Sequence, residues 1–279
     1  MFLAAVAQMT STSDAEANWR SAEELVRRAA ARGAALVVTP ENTNYLGPHE
    51  EKVRLAEPLD GATCGRFSRL AAELEIHLLL GSFNEQSGDS DRCYNTSVLF
   101  APDGARLAVY RKIHLFDVDV SEAVRFRESK TVKPGDEVVT VTTQLATLGL
   151  SICYDLRFGE LYRELARRGA EILTVPSAFT ATTGRAHWET LNRARAIEAQ
   201  AYVLAAAQTG RHDDGGLRES WGHAMIVDPW GEVLATTAEG PNLAMAEIDV
   251  ARVATVRRSM PVAEHRRLEA PKLEPTGAT

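Results

Sequence analysis

The sequence predicts an α/β protein folded as a four-layer α-β-β-α sandwich, and three observations predict it. Residues 2–8 and 35–39 are unbroken apolar runs of strand length, the mark of strands buried on both faces. Between them, residues 14–32 carry Ala15, Trp19, Ala22, Leu25, Val26 and Ala29 at helical spacing and close at Gly33. The same unit returns later as a strand over 148–152, a helix over 160–168 closed by Gly169, and a strand over 172–175 ending at Pro176. Two such units, each with helices over one face of its sheet, stack most economically sheet against sheet.

The remaining elements follow in order. A helix is expected near 67–74 and a strand over 78–82. A hairpin then runs from 95–100 through Pro102-Asp103-Gly104 to 107–110, where Lys112 closes its second strand. Beyond Pro176 the pattern predicts a long helix over 186–199, a strand over 202–207 and a polar loop over 210–219. Strands over 224–227 and 232–236 come next, joined by the turn Asp228-Pro229-Trp230-Gly231. With no low-complexity linker before the end, residues 1–267 are expected to form one domain. Residues 268–279, with Pro271, Pro275 and Gly277, read as an arm-like or disordered tail.

Composition excludes several functions. The 279 residues are 45% hydrophobic and 25% charged, and 31 Lys and Arg are scattered among 38 acidic residues for a net charge of −7. That balance argues against a nucleic-acid surface. The apolar run over 2–7 is too short to span a bilayer and follows no basic segment, so no membrane association is expected. Cys64, Cys93 and Cys153 are odd in number and lack metal-ligand spacing, which predicts no disulfide framework, no metal and a reducing, cytoplasmic setting.

One of these cysteines is placed for chemistry. Cys153 ends an apolar strand where the chain turns toward a helix, a position that holds a side chain rigidly at the rim of a sheet with backbone N–H groups pointing outward. A thiol is mostly protonated at neutral pH and needs a neighbouring base or cation to attack quickly. Glu41, after a buried strand and a proline, is a candidate base, and Lys112, at another strand end, a candidate cation. Each also has a plain reading: a core cysteine, a loop carboxylate, a surface lysine. Their wide separation in sequence leaves the choice open.

Three segments carry a resemblance. Pro40-Glu41, then Tyr110-Arg111-Lys112-Ile113-His114-Leu115-Phe116-Asp117, then Ile152-Cys153-Tyr154-Asp155-Leu156-Arg157-Phe158 resemble, in order and approximate spacing, the signatures of the nitrilase (carbon–nitrogen hydrolase) superfamily. The resemblance spans nearly the whole of residues 1–267. It implies the α-β-β-α sandwich and a Glu-Lys-Cys triad, with Glu41 as general base and Cys153 as nucleophile beside Lys112. The stretch 127–135 resembles the segment bearing a second glutamate, which makes Glu128 the residue that orders Lys112. The implied reaction is amide hydrolysis through a cysteine thioester, with Tyr154 N–H helping to hold the oxyanion and no cofactor. Superfamily members commonly form homodimers or larger homo-oligomers.

Further stretches resemble one branch. Residues 176–189 are similar to those of deaminated glutathione amidases and omega-amidases, while 193–198, 205–212 and 220–231 resemble the former in particular. The implied substrate is a small-molecule amide bearing a 2-oxo acid carboxylate. Arg157, four residues after the nucleophile, is placed to pair with that carboxylate. Tyr154, Phe179, Thr180 and Thr183 are the other expected substrate contacts. The alternatives are an omega-amidase, an N-carbamoyl or other small-amide hydrolase, and a catalytically idle binding protein. Gly159, where proline is usual, and Asn42, where an aromatic residue is common, depart from the family pattern and bear on substrate preference.

Overall fold

The computed structural model describes residues 1–121, 124–215 and 218–268, so the tail expected beyond Leu268 lies outside the described residues. The first half of the chain contributes β1 (Phe2–Met9), α1 (Ala15–Ala31), β2 (Ala34–Val38), α2 (His49–Arg54), α3 (Ala62–Leu74), β3 (His77–Gln86), β4 (Cys93–Phe100), β5 (Arg106–Arg111) and a hairpin of β6 (Asp117–Ser121) and β7 (Val124–Arg127). The second contributes β8 (Thr140–Thr142), β9 (Thr147–Leu150), α4 (Gly159–Arg167), β10 (Ile172–Thr174), α5 (Ala181–Ala199), β11 (Tyr202–Ala205) and β12 (Ala207–Arg211). It ends with β13 (Glu219–Trp221), β14 (Met225–Val227), β15 (Val233–Thr236), β16 (Asn242–Ile248), α6 (Val250–Ser259) and α7 (Val262–His265).

Among the described residues these strands form an eight-stranded sheet, ordered β13-β12-β1-β2-β3-β4-β5 with β16 also on β1, and a six-stranded sheet ordered β15-β14-β11-β10-β9-β8. Each is centred on three parallel strands, β1-β2-β3 and β9-β10-β11, linked by crossover helices. Alternation along the strands then assigns the layers. Ala4, Val6, Leu36 and Val38 share the inter-sheet core with Leu148 and Leu150. Ala5, Ala7, Val37, Leu78 and Leu80 face Leu25 and Val26 of α1 and Phe67 of α3. On the far side, the α-carbon of Gly149 faces Leu165 and Ala170, which puts α4 over the second sheet. The result is the four-layer sandwich.

Several elements differ from expectation. α3 and α5 begin earlier, at Ala62 and Ala181; in α3 the first turn is supported by Glu57, which accepts from the Thr63 N–H at 2.7 Å. The single strand expected over 202–207 is two. β11 ends at Ala205 in the second sheet and β12 begins at Ala207 in the first, so the chain changes sheets at Ala206. An apolar run records burial but not which neighbour the backbone pairs with, which is why the crossing is silent in the pattern. The polar loop expected over 210–219 is partly an edge pairing, with Arg211 opposite Glu219. No helix among the described residues is long and apolar enough to cross a membrane.

Candidate active site

Glu41, Lys112 and Cys153 sit just past the ends of β2, β5 and β9, and the sandwich brings them together. The loop after β2 lies flat on β3: Thr39 N–H donates to Leu79 O at 3.0 Å and Ser82 N–H to Pro40 O at 3.2 Å. Gly81 permits that approach, since a β-carbon there would lie 1.9 Å from Thr39 O. The buried Glu41 carboxylate accepts at Oε1 from Lys112 Nζ and Asn95 Nδ2, both at 2.9 Å, and at Oε2 from Ala178 N–H at 2.8 Å. Its backbone carbonyl takes a further bond from Gln208 Nε2 at 2.9 Å.

Lys112 is wedged between two carboxylates. Its ammonium donates to Glu41 and, at 3.1 and 2.9 Å, to both oxygens of Glu128. Glu128 is held in turn by Phe116 N–H at 2.6 Å. Cys153 opens a short 3-10 turn, Cys153–Arg157, at φ +48°, a left-handed conformation costly for a side-chain-bearing residue. Cys153 N–H donates to Pro176 O at 2.9 Å, while Tyr154 N–H meets no described carbonyl. Asp155 secures the turn. Its carboxylate accepts from Ile152 N–H at 2.8 Å, the Tyr110 hydroxyl at 2.7 Å and His114 N–H at 3.0 Å, tying the cysteine turn to the strand end that carries Lys112.

Burial shapes the charges. It pushes the Cys153 thiol well above its usual range, and the nearby Glu41 carboxylate pushes it further, against the opposing pull of Lys112. That direction favours the protonated thiol, with the Glu41 carboxylate in the same pocket. Burial alone would pull the Lys112 ammonium down, but the Glu128 and Glu41 charges outweigh it and hold the group well above the usual lysine value. Burial likewise works against the Glu128 carboxylate, yet Lys112 and then Lys52 hold it down at about 2.

All the expected site residues line one pocket: Glu41, Lys112, Glu128 and Cys153 share it with Tyr154, Arg157, Phe179, Thr180 and Thr183. Arg157 lies over the Phe179 ring at 5.0 Å, with His187 Nδ1 at 3.2 Å. Thr180 and Thr183 share a hydroxyl hydrogen bond of 2.8 Å at the start of α5. Asn42 also lines the pocket. Its backbone adopts φ +56°, which asparagine tolerates better than an aromatic residue, and its Oδ1 is buried without a partner.

Sequence reasoning missed Asn95, which braces Glu41, and Lys52, His49 and Arg218, which also line the pocket. Asn95 left no trace, since it lies in a strand that continues with the polar Thr96 and Ser97. The others lie in polar segments that read as surface.

Comparison with known proteins bears on this site. The carbon-nitrogen hydrolase family model matches residues 3–258. The mouse deaminated glutathione amidase is 47% identical over 270 residues, covering 95% of this chain and 83% of that protein. Among solved structures, the Caenorhabditis elegans NitFhit protein superposes with a TM-score of 0.89 at 43% identity, covering 95% of this chain and 65% of that longer one. Saccharomyces cerevisiae Nit3, a member of the nitrilase superfamily, superposes with a TM-score of 0.85 at 32% identity, covering 96% and 97%.

Proposed function

The chain belongs to the carbon–nitrogen hydrolase family and is an amide hydrolase; within that family we propose that it cleaves deaminated glutathione to 2-oxoglutarate and cysteinylglycine through a thioester on Cys153. The observation that carries the mechanism is the Glu41 carboxylate, hydrogen-bonded at once to Lys112, Asn95 and Ala178 N–H in the pocket that holds Cys153. Cys153 Sγ attacks the amide carbonyl as Glu41 takes its proton. Lys112 Nζ and Tyr154 N–H hold the oxyanion, and Glu128 keeps Lys112 charged and in register. Glu41 passes the proton to the departing amine, then draws one from a water that opens the thioester. Arg157 pairs with the 2-oxo acid carboxylate, and Phe179, Thr180 and Thr183 flank the acyl chain.

The substrate reading is supported by 47% identity to the mouse deaminated glutathione amidase over nearly the whole chain. Residues 1–267 act as one catalytic domain, a reading the family match over 3–258 supports. Exposed Ile197, Trp230 and Leu234 support a homo-oligomer, and three free buried cysteines suit the cytoplasm. Mass spectrometry of the quenched enzyme, with release of cysteinylglycine followed in parallel, tests the chemistry and the substrate together. A 2-oxoglutaryl adduct on Cys153 and release of the dipeptide are expected. Ammonia from 2-oxoglutaramate without dipeptide release would make it an omega-amidase instead.

A further inference from the structure

The pocket lining holds a further cation that the chemistry above does not use. Lys52 is the buried residue of α2, a six-residue helix whose glutamates, Glu50 and Glu51, are more exposed. It is 2% exposed and lines the pocket, yet its ammonium makes no hydrogen bond or ion pair with any described residue. A fully buried lysine is rare unless paired, because desolvating an uncompensated ammonium is expensive. Burial, with Arg218 adding to it, pulls the group down to about 8, so it still carries its charge at neutral pH.

The charges lining the pocket point the same way. Lys52, Lys112, Arg157 and Arg218 face only two lining carboxylates, Glu41 and Glu128, and both of these are bonded to Lys112. Arg218 is paired with Asp214 at 2.5 Å. Although the Lys52 charge acts on Glu128 from a distance, neither Lys52 nor Arg157 has a direct ion pair with a carboxylate among the described residues. A row of rings separates them. The Arg218 guanidinium lies 6.0 Å from Phe126, and His49, one helical turn from Lys52, has its ring 6.4 Å from the same Phe126. Phe126 meets Phe116 at 5.5 Å, Phe116 meets Tyr154 at 5.0 Å, and Arg157 lies 5.8 Å over Tyr154. Cys153 adjoins Tyr154, so the nucleophile lies toward the Arg157 end of this run of rings, with α2, which carries His49 and Lys52, at the other.

We propose that Lys52 binds a second carboxylate, carried on the leaving amine, so that the pocket selects dianionic amides with one carboxylate on each side of the scissile bond. The assignment rests on the deaminated glutathione reading, whose substrate has one carboxylate on its 2-oxo acid and another on its terminal glycine. Lys52 then acts as a specificity residue for the leaving group, as Arg157 does for the acyl group.

The test compares deaminated glutathione with its C-terminal carboxamide, which differs only by that charge, and measures kcat/KM for the wild type, Lys52→Met and Lys52→Gln. A charge-assisted contact is worth about 10- to 100-fold in kcat/KM. The wild type is expected to prefer the carboxylate by about that factor, and both variants to bring the ratio close to one, mainly through KM. Met matches the length of the lysine stem without its buried charge, so that variant is expected to fold; its melting temperature checks this, and Lys52→Gln gives the same reading should it not. A ratio that survives both substitutions, or no preference in the wild type, overturns the assignment while dipeptide release leaves the substrate reading standing. No dipeptide release by the wild type overturns both.

Discussion

At the residue scale, the site is three groups whose charges set one another. On the proposed mechanism the Cys153 thiol gives its proton to Glu41 as it attacks, and removing the sulfur leaves nothing to carry the acyl group. Cys153→Ala is expected to lower amide turnover by about a thousandfold or more, with binding of a 2-oxo acid product retained when measured by calorimetry. Glu128 contributes through its charge. Its folded value near 2 lies below the usual 4.5, so its stabilisation is complete above about pH 4.5 and fades as the pH falls toward 2. Glu128→Gln is expected to flatten that part of the curve of urea midpoint against pH. Arg157→Lys keeps the charge but loses the planar fork, so it is expected to raise KM for 2-oxo acid amides about tenfold, against a much smaller change for simple amides. An equal rise for both would remove the arginine from substrate recognition.

At the element scale, loops rather than strands aim the side chains, and each loop is pinned from a distance. Gln208, on β12, takes Ser11 N–H on its Oε1 at 2.9 Å and donates from Nε2 to Ser11 Oγ at 2.7 Å and Glu41 O at 2.9 Å. This glutamine lies just past the sheet crossing at Ala206. Gln208→Leu is expected to strand those buried groups at a cost of about 1–3 kcal/mol and to lower kcat, read by thermal melts beside steady-state rates. Gly81 is the other anchor. Its β-carbon has no room against Thr39 O, so Gly81→Ala is expected to displace the Glu41 loop, destabilise the fold by about 1–3 kcal/mol and depress activity in the same samples.

At the scale of the whole molecule, the inter-sheet core sets the distance between the two halves of the site. Glu41 and Lys112 ride on one sheet and Cys153 on the other, with Val38 and Leu150 buried between them. Leu150→Ala is expected to cost about 2–5 kcal/mol in urea unfolding.

By itself the sequence determined the layers, because buried strands and amphipathic helices announce themselves by local periodicity, as in residues 2–8 and 14–32. It also marked Glu41, Lys112 and Cys153, each at the end of an apolar strand in a recognisable motif. The tertiary structure alone decided what surrounds them. Asn95 and Gln208 brace Glu41 across separations that no local pattern reports, and the change of sheet at Ala206 is hidden inside one apolar run. Lys52 lies in a charged stretch that the sequence does not mark out. Only the fold turns it inward, where leaving water without a partner makes its charge a demand on the ligand.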